Sequence, residues 1–123
     1  MNVFHRMAAV AITLSLLVST PIAHAHFVFV LPDGEGTQAR VILSEDLELD
    51  ENVDLALVDG VKLVTRDNAG DEAALELARD GETRLVKLPK TMRGAIHGTL
   101  THGVMKHGPK PFLVVYHPKA CLG

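Results

Sequence analysis

The amino-acid sequence predicts an all-β fold, an antiparallel immunoglobulin-like β-sandwich of about seven strands, behind a short hydrophobic leader. Three observations lead to this prediction. After residue 25 helical periodicity is weak, short apolar β-prone runs recur, and clusters of Gly, Pro, Asn and Asp separate them at intervals of about 8 to 12 residues. Short strands with such regular turns are typical of a β-sandwich, and a small barrel is the alternative.

The leader, residues 1–25, has the features of a cleaved secretory signal peptide. A short apolar run follows Arg6, the only charged residue of this segment, and Ala23 and Ala25 form the small-x-small pattern that signal peptidase requires. Cleavage after Ala25 makes His26 the first residue of the mature chain. A retained anchor is the alternative, but the run is short for a span of about 20 residues and no basic stop follows it.

The remainder, 26–123, is predicted to be a single exported domain in the periplasm or outside the cell. Its length suffices for a modest core. Cys121 is the only cysteine of the chain, so we expect no internal disulfide.

The first four predicted strands precede residue 68. The run "HFVFVL" (26–31) ends at the turn cluster "PDGEG", and "QARVILS" (38–44) follows it. The segment "LELDENVDLALVDG" (47–60) alternates in part and ends in an Asp-Gly turn. The fourth strand is "VKLVTRD" (61–67), which "NAG" closes.

The other four predicted segments follow in the second half. The run "ALELA" (74–78) lies within 71–79, which is rich in helix formers, but nine residues between two turns make a marginal helix, so a strand is preferred. The next strand is "TRLVKL" (83–88). The glycine-spaced "GAIHGTLTHG" (94–103) indicates a strand or extended loop, and "PFLVVYH" (111–117) is the last strand.

Charge is distributed unevenly along the chain. All 15 acidic residues lie between Asp33 and Glu82, whereas seven basic residues and no acid follow from Thr83 onward. Of the 12 lysines and arginines, Arg6 lies in the leader, so 26–123 carries 11 against 15 acids, a net charge of −4. This balance argues against nucleic acid as a partner. A metal held by the C-terminal third would have nitrogen ligands.

Enzyme motifs are absent from the sequence. It contains no cysteine pair, HExxH helix, P-loop or GxSxG elbow. Spacing alone leaves a nucleophile–His–Asp arrangement open, but the C-terminal third offers no carboxylate to orient a histidine. We therefore predict no enzymatic activity and identify no small-molecule substrate.

The histidines carry the functional prediction. After cleavage, the α-amine and ring Nδ1 of His26 could close a six-membered chelate around a divalent ion, because both nitrogens deprotonate near neutral pH. A second histidine would complete a three-nitrogen site that suits nickel, cobalt or copper. His117, at the end of the last strand, is the first candidate. His97 and His102 are five apart and would face opposite sides of a regular strand, so they converge only through a loop or bulge.

Two further residues receive structural interpretations. His107, in "KHGPK", is expected to be exposed, and Met105 is expected to fill the core rather than bind copper.

A resemblance accompanies these features. The segments "AHAHFVFVLPDG", "ARVILSEDLELDENVDL" and "GVMKHGPKPFLVVYHPKA" resemble exported proteins of the DUF-type, NikM-like group, which are associated with periplasmic nickel and cobalt uptake. The resemblance implies an Ig-like domain with a role in delivering or sensing a transition metal. It also implies that His26 and His117 stand at positions where these relatives carry histidine. Such relatives tend to continue into a second β-rich domain, where this chain stops.

Three functions follow as hypotheses. The first is a periplasmic module that binds nickel, cobalt or copper through His26, His117 and either His97 or His102, and delivers it to a membrane transporter subunit. The alternative is a structural or interaction domain at the cell surface that binds no metal. A copper enzyme with a terminal-histidine site comes third, because four Phe, one Tyr and no Trp poorly supply a polysaccharide-stacking platform.

Overall fold

The computed structural model describes residues 25–89 and 93–123, and there the chain forms two packed antiparallel sheets, which confirms the β-sandwich. The described residues contain nine strands and one short 3-10 helix. The predicted signal peptide falls almost wholly on residues 1–24, outside the described residues. The strands are β1 (Phe27–Pro32), β2 (Gln38–Ser44), β3 (Lys62–Asp67), β4 (Glu72–Leu75), β5 (Leu77–Asp80), β6 (Thr83–Lys87), β7 (Gly94–Met105), β8 (Phe112–Tyr116) and β9 (Lys119–Leu122), and the helix is Leu55–Val58.

The two sheets share one continuous stretch of chain. The smaller sheet has the order β1-β2-β6-β5, and the larger has the order β4-β3-β7-β8 with β9 also paired to β7. Only Glu76 separates β4 from β5, so this extended run passes from one sheet to the other. Leu75 and Leu77, on either side of it, both pack against the core. The preference for a strand over a helix in this segment is therefore confirmed.

Alternating apolar residues of both sheets form the core. Val28 pairs with Leu43 and Val30 with Val41 across β1 and β2, and all four are buried. Ile96, fully buried on β7, lies in the same core cluster. Burial of these aliphatic side chains drives the packing of the sheets, at about 25 cal/mol for each Å² of apolar surface removed from water.

The predicted strand over 47–60 is wrong, because this segment is an irregular loop followed by the 3-10 helix. Asp46, Asp50 and Asp54 each accept a hydrogen bond of 2.9 Å from the backbone N–H two residues later. Such local bonds turn the backbone and compete with a strand ladder. The alternation of leucine with acidic residues imitates a strand pattern without forming one.

The C-terminal segment contains one strand more than predicted. Pro118 ends the run of β8, but the chain resumes at once as β9, which pairs with the first half of β7. Cys121 lies in β9 opposite Ala95 and is a free, exposed thiol. Within the described ranges, no helix has the length and apolar character needed to cross a membrane.

Candidate metal-binding histidines and a neighbouring cleft

His26 lies directly before β1 and faces a carboxylate. Its Nε2 is 3.4 Å from Oδ2 of Asp50, in the irregular loop, and both side chains are about one-third exposed or less (35% and 27%). The backbone N–H of Asn52 contributes most to lowering the pKa of Asp50, and the Asn52 side chain and His26 lower it further. An ionised carboxylate therefore lies beside the imidazole at neutral pH.

His97 lies on the outer face of the larger sheet, because its neighbours Ile96 and Gly98 are buried. Its Nε2 is 3.3 Å from Oε1 of Glu72 on β4. The same oxygen accepts hydrogen bonds of 2.8 Å and 2.5 Å from the Nε and Nη2 atoms of Arg66. The hydrogen bond from Arg66 is the main cause that lowers the pKa of Glu72. His97 thus belongs to a polar surface network.

His102 and His117 have different neighbours again. The pairing of β7 with β8 shifts register between Thr101 and Gly103, so His102 lies at an irregularity of the strand. Its ring meets the ring of Tyr116 edge-on, with centroids 6.0 Å apart. His117 is exposed, and its Nδ1 is 3.4 Å from Oγ1 of Thr99.

The four candidate ligands are therefore not gathered side chain to side chain. Over 25–89 and 93–123, no three side chains of His, Cys, Asp or Glu lie together as a metal site built from side chains alone would need. The pairs His26–Asp50 and His97–Glu72 are the closest approaches of a histidine to a carboxylate that the structure shows. Neither acid is predicted from the sequence, because a carboxylate distant in the chain gives no local signal. His107 is exposed, as predicted, and Met105 is half-buried.

Asp50, the partner of His26, lines a cleft of about 550 Å³. Arg84 of β6 is buried in its wall, donating from Nε to Oδ1 of Asp59 over 2.5 Å. Arg79 also binds Asp59, from the solvent side. We call the end of the sandwich that holds this cleft and the β5–β6 turn the cleft end. Its other lining residues are Leu49, Asp50, Glu51, Val53, Asp54, Leu55, Gly81 and Glu82.

Comparison with known proteins adds no assignment: no family model, no curated protein and no solved structure matches this chain. The resemblance to the NikM-like group accordingly stays a prediction.

Proposed function

We propose that the exported chain is a transition-metal-binding module that captures nickel, cobalt or copper at His26 and passes it to a membrane transporter subunit. The observation that carries the proposal is the contact between Nε2 of His26 and the carboxylate of Asp50. Metal-binding histidines commonly donate their second ring nitrogen to a carboxylate, which fixes the tautomer and orients the ring.

The contact with Asp50 leaves Nδ1 of His26 available to bind a metal ion. In the tautomer with the proton on Nε2, which faces Asp50 across 3.4 Å, Nδ1 carries the lone pair, and Nδ1 is the nitrogen that forms a chelate with the α-amine of a terminal His26. A chelate of this kind takes two ligands from one residue. It therefore does not need three clustered side chains.

His117 stays the first candidate for a further nitrogen, and a succession of neighbouring residues from Asp50 to Thr99 supports this choice. The carboxylate partner of His26 lines the cleft together with Arg84. Asp59 binds Arg84 and lies three residues before the start of β3, which pairs with Thr99 of β7. Thr99 in turn contacts His117. This succession of neighbours supports the choice of His117 as the second ligand.

The proposal is tested on protein expressed with its own leader and purified after export. Mass spectrometry first establishes whether the chain begins at His26. Calorimetric titration with Ni(II) and Cu(II) then compares this protein with a variant carrying one alanine before His26, which removes the free amine from the chelate. Affinity should fall by more than about tenfold, and the exposed His107→Ala should leave it unchanged.

A second variant separates ring orientation from chelation. Asp50→Asn keeps the shape of the side chain but removes its charge, so affinity should fall by about 10- to 100-fold, as for other carboxylates that support a metal-binding histidine. Equal affinity of the extended and natural chains would contradict the proposal.

A second candidate, an interaction domain that binds no metal, is favoured by a different observation. Val104, Phe112 and Leu113 of the β7–β8 hairpin are all more than half exposed, and exposed apolar patches commonly mark interaction sites. Natively exported protein that holds no metal and binds none on titration would favour this candidate.

A further inference from the structure

The β7–β8 hairpin extends beyond the sheet that supports it. β3 pairs with β7 only as far as Thr99, which lies opposite Lys62, the first residue of β3. From Leu100 to Met105, β7 pairs with β8, and no other described strand continues the sheet there. A two-stranded ribbon is marginally stable in water unless it packs against something.

This ribbon carries apolar side chains on both faces. Val104 lies opposite Leu113, and each is 59% exposed. The next pair is Met105 with Phe112, of which Phe112 is 51% exposed. Because successive residues of a strand point to opposite faces, the two pairs lie on opposite sides of the ribbon. Phe112 and Leu113 therefore lie largely in solvent and not in the core.

The loop at the hairpin tip is basic. Lys106, His107 and Lys110 are exposed in it, and the sequence has no acidic residue after Glu82. These charged groups lie farther toward the hairpin tip than the apolar pairs. Insertion of the tip into a lipid bilayer would bury the charges before the apolar side chains, at a cost in free energy. A protein surface that places carboxylates around partly exposed apolar side chains fits this order better.

The chain itself carries such a surface. The cleft at the cleft end has Leu49, Val53 and Leu55 among its apolar lining, and Glu51 and Glu82 are exposed at its edge. Asp50 and Asp54 add further negative charge to its lining. A volume of about 550 Å³ accommodates several aliphatic or aromatic side chains.

The hairpin and the cleft lie at the same end of the sandwich. The hairpin runs past Lys62, three residues after Asp59, and Asp59 binds Arg84 in the cleft wall. Two copies that meet end to end can therefore each extend a hairpin toward the other's cleft. Such a reciprocal contact closes on itself and gives a twofold dimer rather than an open chain.

We propose that the chain forms a twofold dimer in which the β7–β8 hairpin of each copy occupies the acidic, partly apolar cleft of the other. Val104, Phe112 and Leu113 lose contact with water, and Lys106 and Lys110 pair with Glu51 and Glu82. The dimer depends on charge pairs near the interface rim, so high ionic strength weakens it. It does not depend on a bound metal ion.

Charge reversal tests the dimer with the exported protein. Sedimentation velocity over a wide range of concentration compares natural protein with a hairpin variant, Lys106→Glu plus Lys110→Glu, and a cleft variant, Glu51→Lys plus Glu82→Lys. Each variant alone should dissociate with a constant raised by more than about tenfold, a difference of about 1.4 kcal/mol. An equimolar mixture should form a mixed dimer, because each hairpin then meets a cleft of opposite charge.

The controls separate this contact from general effects of charge. Arg40→Glu plus Lys87→Glu makes the same change of net charge as the hairpin variant on exposed positions of β2 and β6, and should dimerise like natural protein. Circular dichroism checks that every variant keeps its strands. A monomer at all concentrations overturns the proposal, as does a mixture that fails to restore dimers. Binding to phosphatidylglycerol vesicles without dimerisation overturns it in favour of a lipid surface.

Discussion

Removal of the Asp59 carboxylate tests how much its ion pair with Arg84 stabilises the fold. The pair joins the segment before β3, in the larger sheet, to β6, in the smaller sheet. Asp59 follows the 3-10 helix directly, and its Oδ1 accepts from Nε of Arg84 over 2.5 Å. The Arg84 side chain is 9% exposed and that of Asp59 19%. Asp59→Ala leaves a guanidinium buried without its carboxylate, which typically costs about 3–5 kcal/mol. We expect about 3 kcal/mol, because water can enter beside the partly exposed Asp59.

Two matched variants decide whether burial is the cause. Asp59→Asn retains an oxygen that can accept from Arg84, so about 1.5–2 kcal/mol should be lost. Arg79→Ala removes the other partner of Asp59, but the Arg79 side chain is 68% exposed, so the loss should stay below about 1 kcal/mol. Urea unfolding followed by far-ultraviolet circular dichroism measures the free energy of unfolding. If Asp59→Ala costs no more than Arg79→Ala, the reasoning from burial is refuted.

Two further predictions concern the larger sheet. The pKa of Glu72 is lowered chiefly by Arg66 and further by His97, so the folded state holds fewer protons there than the unfolded state as pH falls from about 4.5. The stability that the Glu72 carboxylate contributes is present above the unfolded pKa and is lost as pH falls through the folded pKa. Glu72→Gln should therefore flatten the acid side of a plot of Tm against pH. An unaltered slope would contradict this role of Glu72. Gly94 has φ +139°, and a Cβ there would lie 2.1 Å from the carbonyl oxygen of Arg66, so Gly94→Ala should lower the free energy of unfolding by about 1–3 kcal/mol or more. Gly34→Ala, with no atom within 4 Å of an added Cβ, is the control, and equal losses in the two variants would exclude a steric cause.

Local sequence patterns predict the structure correctly where the residues of one segment determine its conformation. The runs 38–44 and 61–67 are predicted within one residue of β2 and β3, because apolar alternation and flanking turn residues act within each segment. The run 47–60 failed for the same local reason, since aspartates that bond their own backbone are not distinguished by hydropathy from those on a strand.

The candidate site shows the limit of local patterns more sharply. From the sequence alone, His26 is predicted to be the residue that a free terminus would turn into a chelator. It does not identify Asp50 as its partner, because 24 positions and two strands separate them. Similarly, strand alternation predicts that His97 and His102 face opposite sides, but the contact of His97 with Glu72 depends on which strand lies beside β3.

The sequence by itself determined that the chain forms a β-sandwich and that its histidines are concentrated at one terminus and in the last third. Hydropathy, turn residues and the order of amino acids express these properties without reference to distant residues. Only the tertiary structure decided that the β7–β8 hairpin projects with apolar pairs exposed, that an acidic cleft lies at the same end, and that Asp59 secures Arg84. These features depend on strand pairing and on the path of loops between sheets, which the packing of the whole domain selects.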